Sequence, residues 1–183
     1  MTTSAKSASK TYAMVAVALM TAITCILAPL SLPIGPVPIS LATLVLFLSV
    51  YVLGWQKAVI SVCLYILLGL VGVPVFSGYT GGVEKLAGAT GGFIIGYAPM
   101  VALSGYLMSR SEKRWVHLLA MVAGEVVLYA LGTVWFCVQA GKSASAALAA
   151  CVYPFIPLDL VKMVIAVTLG PMLRKRLQQA HLL

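Results

Sequence analysis

Long apolar stretches alternate along the chain with short polar or Pro/Gly-rich breaks, and that alternation predicts six membrane-spanning helices. The first is expected over Tyr12–Ala28, closed by Pro29, Pro33, Pro36 and Pro38. The second, Ile39–Leu53, has only 15 residues and is short for a bilayer. Gly54-Trp55-Gln56-Lys57 turns the chain into a third span, Ala58–Val73. A glycine-rich loop, Pro74–Thr90, leads to a fourth, Gly91–Met108. The basic stretch Ser109–Trp115 precedes a fifth, Val116–Val138, and a polar loop, Gln139–Ser145, follows it. Ala146–Ile156 is apolar but interrupted by Pro154, which predicts a re-entrant or surface segment ahead of a sixth span, Pro157–Leu173.

Composition agrees with a single all-α integral membrane domain over residues 1–183. Hydrophobic residues make up 62% of the chain and charged residues 9%, whereas a soluble domain carries about 25% charged residues to cover its surface. The net charge of +8 is explained by topology rather than by nucleic acid. With the N-terminus inside, nine of the twelve basic residues fall on the inner side (Lys6, Lys10, Lys57, Arg110, Lys113, Arg114, Arg174, Lys175 and Arg176). Lys85, Lys142 and Lys162 remain outside, and both termini are cytoplasmic. The run after the polar N-terminus is long for a signal peptide and reads as a retained span.

Four cysteines, Cys25, Cys63, Cys137 and Cys151, stand singly in apolar segments with no C-x-x-C pair, and read as small buried hydrophobes. Neither His117 nor His181 lies near them, no nucleophile–base pair is visible, and the chain does not read as an enzyme. The glycine-rich loop lacks both nucleotide-binding spacings, so ATP hydrolysis is not expected of this chain. Gly88, Gly92 and Gly96, spaced by four, predict close helix packing at the start of span four.

Two charges interrupt the run from Ala144 to Leu173, Asp159 and Lys162. Three residues apart, they share one helix face, and charge at membrane depth faces a protein interior or cavity. Both Pro/Gly-rich loops fall on the same outer side, which predicts an outward-facing pocket capped by loops. The competing reading is two ordinary loops and an ion pair that satisfies only itself. Glu125, mid-span in span five, has no partner evident in the sequence, and a role in proton coupling stands beside burial as a hydrogen-bonded acid.

Three segments resemble the BioY family, the biotin-specific substrate-binding (S) components of energy-coupling-factor transporters. They are Pro36-Val37-Pro38-Ile39-Ser40-Leu41, the loop from Gly81-Gly82 through Leu86-Ala87-Gly88-Ala89-Thr90-Gly91-Gly92-Phe93 to Gly96-Tyr97, and Tyr153-Pro154-Phe155 with Asp159-Leu160-Val161-Lys162. The resemblance runs nearly end to end; Ala89 departs from it where proline is expected. It implies a high-affinity biotin binder in the cytoplasmic membrane of a prokaryote, without a cofactor of its own. Its implied partners are a transmembrane T component and two ATPases that consume ATP, although some members are thought to act alone. An S component for another small vitamin is the alternative. The family's A-x-x-x-A partner strip matches Ala18 and Ala22 in span one.

Given biotin, Asp159 and Lys162 are expected to read the ureido head, since side chains one helical turn apart lie about 5–6 Å from each other at Cβ. Lys85 and loop amides are the candidates for the carboxylate, and Gly82, Thr90 and Gly91 belong to the ligand-binding loop. Phe76, Tyr79, Tyr153 and Trp135 are expected to wall the apolar bicycle, with Tyr129 deeper and in a packing role.

Overall fold

The computed structural model describes residues 2–32 and 37–180, and along 2–10 only the path of the backbone. Pro33, Pro36 and His181, and the side chains of Lys6 and Lys10, lie outside the described residues.

Helix α1 runs over Thr2–Leu27 and leads into a short antiparallel hairpin, β1 (Ser31–Leu32) against β2 (Ile39–Ser40), with Ser31 opposite Ser40. Ile39 and Ser40, expected to open the second span, are thus strand. The Ser40 hydroxyl accepts the Ala42 amide at 3.1 Å, and α2 (Ala42–Leu53) starts beyond it. Ser40 diverts the chain by satisfying an amide that a continuing helix would have to supply with a carbonyl. Gly54, at φ 75°, closes α2 and opens α3 (Trp55–Leu70) without an intervening loop, a conformation that favours glycine.

The glycine-rich loop contains a one-turn helix, α4 (Val83–Ala87), and a Phe76–Thr80 bridge. Gly78 donates its amide to the Pro29 carbonyl at 3.0 Å, so the two Pro/Gly-rich loops meet. Helices α5 (Gly91–Met108) and α6 (Arg114–Ala140) form the most extensive helix pair. Gly92 and Gly96 sit in their seam: a Cβ on Gly92 would lie 2.2 Å from Trp135 Cβ, and one on Gly96 2.8 Å from Leu128 Cδ1. From the other side, Gly124 meets the Met100 carbonyl and Gly132 the Phe93 ring. Gly88 departs from the four-residue series, because it caps α4 in extended conformation before α5 begins.

Helix α6 continues to Ala140, past the expected start of the polar loop, and Gly141 in the left-handed region ends it. The proline-interrupted segment forms a separate helix, α7 (Ala144–Cys151). The last helix, α8, spans Ile156–Gln179 and extends beyond the expected apolar limit through Arg174, Lys175 and Arg176. Pro157 stands in its first turn, where a missing N–H costs nothing.

Leu46, Phe47, Val62, Met100, Val101 and Met121 are fully buried in the core. Met14, Ile26, Val126, Val134, Val161 and Val164 point outward and are more than half exposed. An apolar exterior around a packed interior suits hydrocarbon surroundings. Among the described residues three helices, α5, α6 and α8, are long and apolar enough to cross a membrane, whereas Thr11–Leu27, α2 and α3 are shorter apolar helices. Ala18 and Ala22 are exposed, so among the described residues nothing buries their strip.

The candidate ligand cavity

The cavity is built from elements far apart in sequence. Its polar floor centres on Asp159 and Lys162 in the first turns of α8, joined by an ion pair of 2.8 Å from Lys162 Nζ to Asp159 Oδ1. Both residues are buried. Ionised groups persist out of water only when their remaining hydrogen-bonding capacity is met. Lys162 meets that condition in full: its ammonium also donates to the Ser40 carbonyl at 2.7 Å and to Thr43 Oγ1 at 3.2 Å, using all three N–H groups. Asp159 Oδ2 accepts a 2.6 Å hydrogen bond from the Tyr129 hydroxyl on α6, and Thr43 Oγ1 lies 3.5 Å from Oδ1. The carboxylate also sits in the first turn of α8, where the helix dipole favours negative charge.

Phe93 and Tyr97 from α5, Leu128 from α6, and Phe155 just ahead of α8 supply the apolar walls. Val37 and Pro38 line it where the first loop enters β2. The space left free between these walls is about 40 Å³. Glu125 lies in the same cavity, one turn before Tyr129 on α6, and is only 3% exposed. The chemistry of this lining suits the compact donor–acceptor end of an otherwise apolar small molecule. A ligand carbonyl can engage Lys162 by displacing Thr43, whose contact is the longest of the three.

The remaining residues singled out from the sequence lie outside this lining. Phe76 is fully buried beneath the loop, edge-on to Tyr65 with ring centroids 5.6 Å apart. Tyr79 and Tyr153 are exposed. Gly82 starts α4, while Thr90 and Gly91 are buried at the start of α5. Trp135 donates its indole N–H to the Gly88 carbonyl at 2.9 Å, pinning the end of the loop to α6. Lys85 is half-buried on α4, and desolvation holds its ammonium below the usual lysine pKa range.

Tyr129 corrects its expected packing role, because its hydroxyl is tied to Asp159. Thr43, Tyr97 and Glu125 also join the cavity. One signal for Glu125 and Tyr129 was present in the sequence: four residues apart, they share the α6 face that meets α8. His117 instead belongs to a second cavity with Trp55, Glu112 and Arg174, where it bridges Tyr51 Oη at 3.0 Å and the Ser111 carbonyl at 2.7 Å.

Replacing Tyr129 by Phe removes the donor to Asp159 Oδ2 and is expected to cost about 1.5–3 kcal/mol, the usual worth of a hydrogen bond to a charged group. Thermal unfolding of the purified variant checks this; a midpoint equal to wild type would show that the bond adds nothing net.

Fold and hydropathy define a multi-pass helical membrane protein with a polar cluster buried between apolar walls. The profile of the BioY family matches residues 1–179, and the chain belongs to that family. It is 35% identical to the biotin transporter BioY of Thermotoga maritima, over 86% of this chain and 92% of that one. It is 30% identical to the biotin transporter BioY2 of Lactococcus lactis, over 94% and 96% of the two chains. The crystal structure of the S-component for biotin from an ECF-type ABC transporter superposes with a TM-score of 0.83 at 30% identity, covering 96% of this chain and 95% of that one.

Proposed function

We propose that this chain binds biotin in the Asp159–Lys162 cavity and is the substrate-binding component for biotin uptake. It is a transport protein and not an enzyme. The observation that carries the reading is a buried Asp159–Lys162–Tyr129 cluster inside apolar walls, in a chain similar end to end to proteins named biotin transporters. Biotin has the matching chemistry: a ureido ring with two N–H donors and one carbonyl on an apolar bicycle, and a carboxylate on a flexible tail. Asp159 accepts from the ureido N–H, and Lys162 donates to the carbonyl in place of Thr43. The carboxylate leaves toward the glycine-rich loop, where Lys85 and the loop amides are the candidates to hold it.

In the same reading α1, α2, α3, α5, α6 and α8 are six crossings of the cytoplasmic membrane, with both termini inside and the cavity facing out. The distribution of Lys and Arg supports this orientation. The exposed Ala18–Ala22 strip is a close-approach surface for a T component, to which two ATPases couple.

Calorimetric titration of biotin into the detergent-purified protein tests the ligand, with tight one-to-one binding expected. Absence of binding by demonstrably folded protein would set biotin aside and turn the search to other small vitamins.

A further inference from the structure

We propose that Glu125 is a second ligand-reading carboxyl, accepting a hydrogen bond from one ureido N–H while Asp159 accepts from the other. This rests on the biotin reading above and extends it to a specificity-determining residue on another helix.

The polar groups around the ion pair already serve one another. Lys162 has spent its three N–H groups, Asp159 is held from both sides, and Tyr129 donates to it. Glu125 is the exception. It lines the cavity at 3% exposure beside the Asp159 carboxyl, and among the described residues no N–H or hydroxyl donor reaches either of its carboxyl oxygens. A buried polar group left unpaired costs stability, so its retention calls for something that meets it. Ionised or neutral, a carboxyl keeps an oxygen able to accept.

Helix packing fixes where Glu125 sits. A Cβ on the neighbouring Gly124 would lie 2.8 Å from the Met100 carbonyl oxygen and 3.0 Å from Ser104 Cβ, so α6 and α5 approach closely there. That close packing lies one residue from Glu125 and sets the register of α6 against α5.

The ligand's geometry supplies an independent argument. The two N–H bonds of a cyclic urea diverge on either side of the carbonyl, so a single carboxylate cannot align with both. Asp159 Oδ1 is already engaged by Lys162, which leaves Asp159 suited to one N–H. The second needs an acceptor from another direction, and Glu125 offers one from α6.

The test is biotin titration of wild type, Glu125→Met and Glu125→Gln, alongside thermal unfolding. Met keeps the length and removes both oxygens; it is expected to weaken biotin about 10- to 100-fold, the scale of a charge-assisted hydrogen bond, with an unfolding midpoint no lower than wild type. Gln keeps one acceptor and is expected to retain most of the affinity. The two N-methylated biotins, each lacking one N–H, add a check that does not depend on the variants' stability. One isomer should lose affinity for wild type but lose nothing further on Glu125→Met. Wild-type affinity for biotin in Glu125→Met would overturn the assignment while leaving biotin as ligand. So would a Glu125→Gln protein that binds biotin fully but fails in uptake when Glu125→Met does the same, an outcome that points to proton coupling. No binding by folded wild type would instead remove the biotin reading itself.

Discussion

Replacing Lys162 by Met is expected to destabilise the protein by about 3–5 kcal/mol and to abolish measurable biotin binding. Removing one member of a buried ion pair leaves the other as an uncompensated charge, and that penalty exceeds the net worth of the pair. Here the survivor would be Asp159, 4% exposed, with the Tyr129 hydroxyl as its remaining close donor. The double variant Asp159→Leu with Lys162→Met removes both charges and is expected to recover most of the lost stability. It should still not bind biotin, because the ureido carbonyl would lose its cation and one N–H its carboxylate. Thermal unfolding and calorimetry on the two variants read these effects separately. A double variant that is stable and binds biotin as wild type would reduce the pair to a structural feature.

The second large effect is carried by the ligand. A biotin analogue whose ureido ring is replaced by an all-carbon ring is expected to bind about 10⁴-fold more weakly than biotin, since Asp159 and the groups around it would be left without their partners. Desthiobiotin, which keeps the ureido ring and loses the sulfur, should be penalised far less, because the walls it touches are apolar side chains such as Phe93, Leu128 and Phe155. Competition against labelled biotin gives both ratios in one experiment. Comparable binding of the two analogues would show that the cavity selects shape and not the ureido pattern.

The helical nature of the chain was legible because hydropathy and Pro/Gly breaks are local signals, and the apolar stretches between the breaks are helices here. Ser40 shows where that signal ends: the apolar run crosses Ile39 and Ser40 without interruption, yet hairpin pairing and a side-chain hydrogen bond make them strand. Asp159 and Lys162 stood out because charge in an apolar run is conspicuous. Thr43, Tyr97 and Tyr129 did not, since a hydroxyl in a helix is unremarkable until the tertiary fold brings another group to it. Thr43 and Asp159 are 116 residues apart in sequence. Aromatic residues of the loops are conspicuous by their position, but Phe76 fills the space over Gly69. Glu125 was visible as an anomaly, and only the α6–α8 packing supplied its neighbours.

The bond from Trp135 to Gly88 gives the molecule an intrinsic optical probe. Trp115 and Trp135 stand at opposite ends of α6, separated by about 30 Å at 1.5 Å per residue, and Trp55 shares the far cavity with His117. Of the three tryptophans in the chain, Trp135 is the one whose indole N–H is hydrogen-bonded to the glycine-rich loop. Its indole emission therefore follows whether that loop stays docked or lifts, and in a background with Phe at the other two positions the signal comes from a single chromophore.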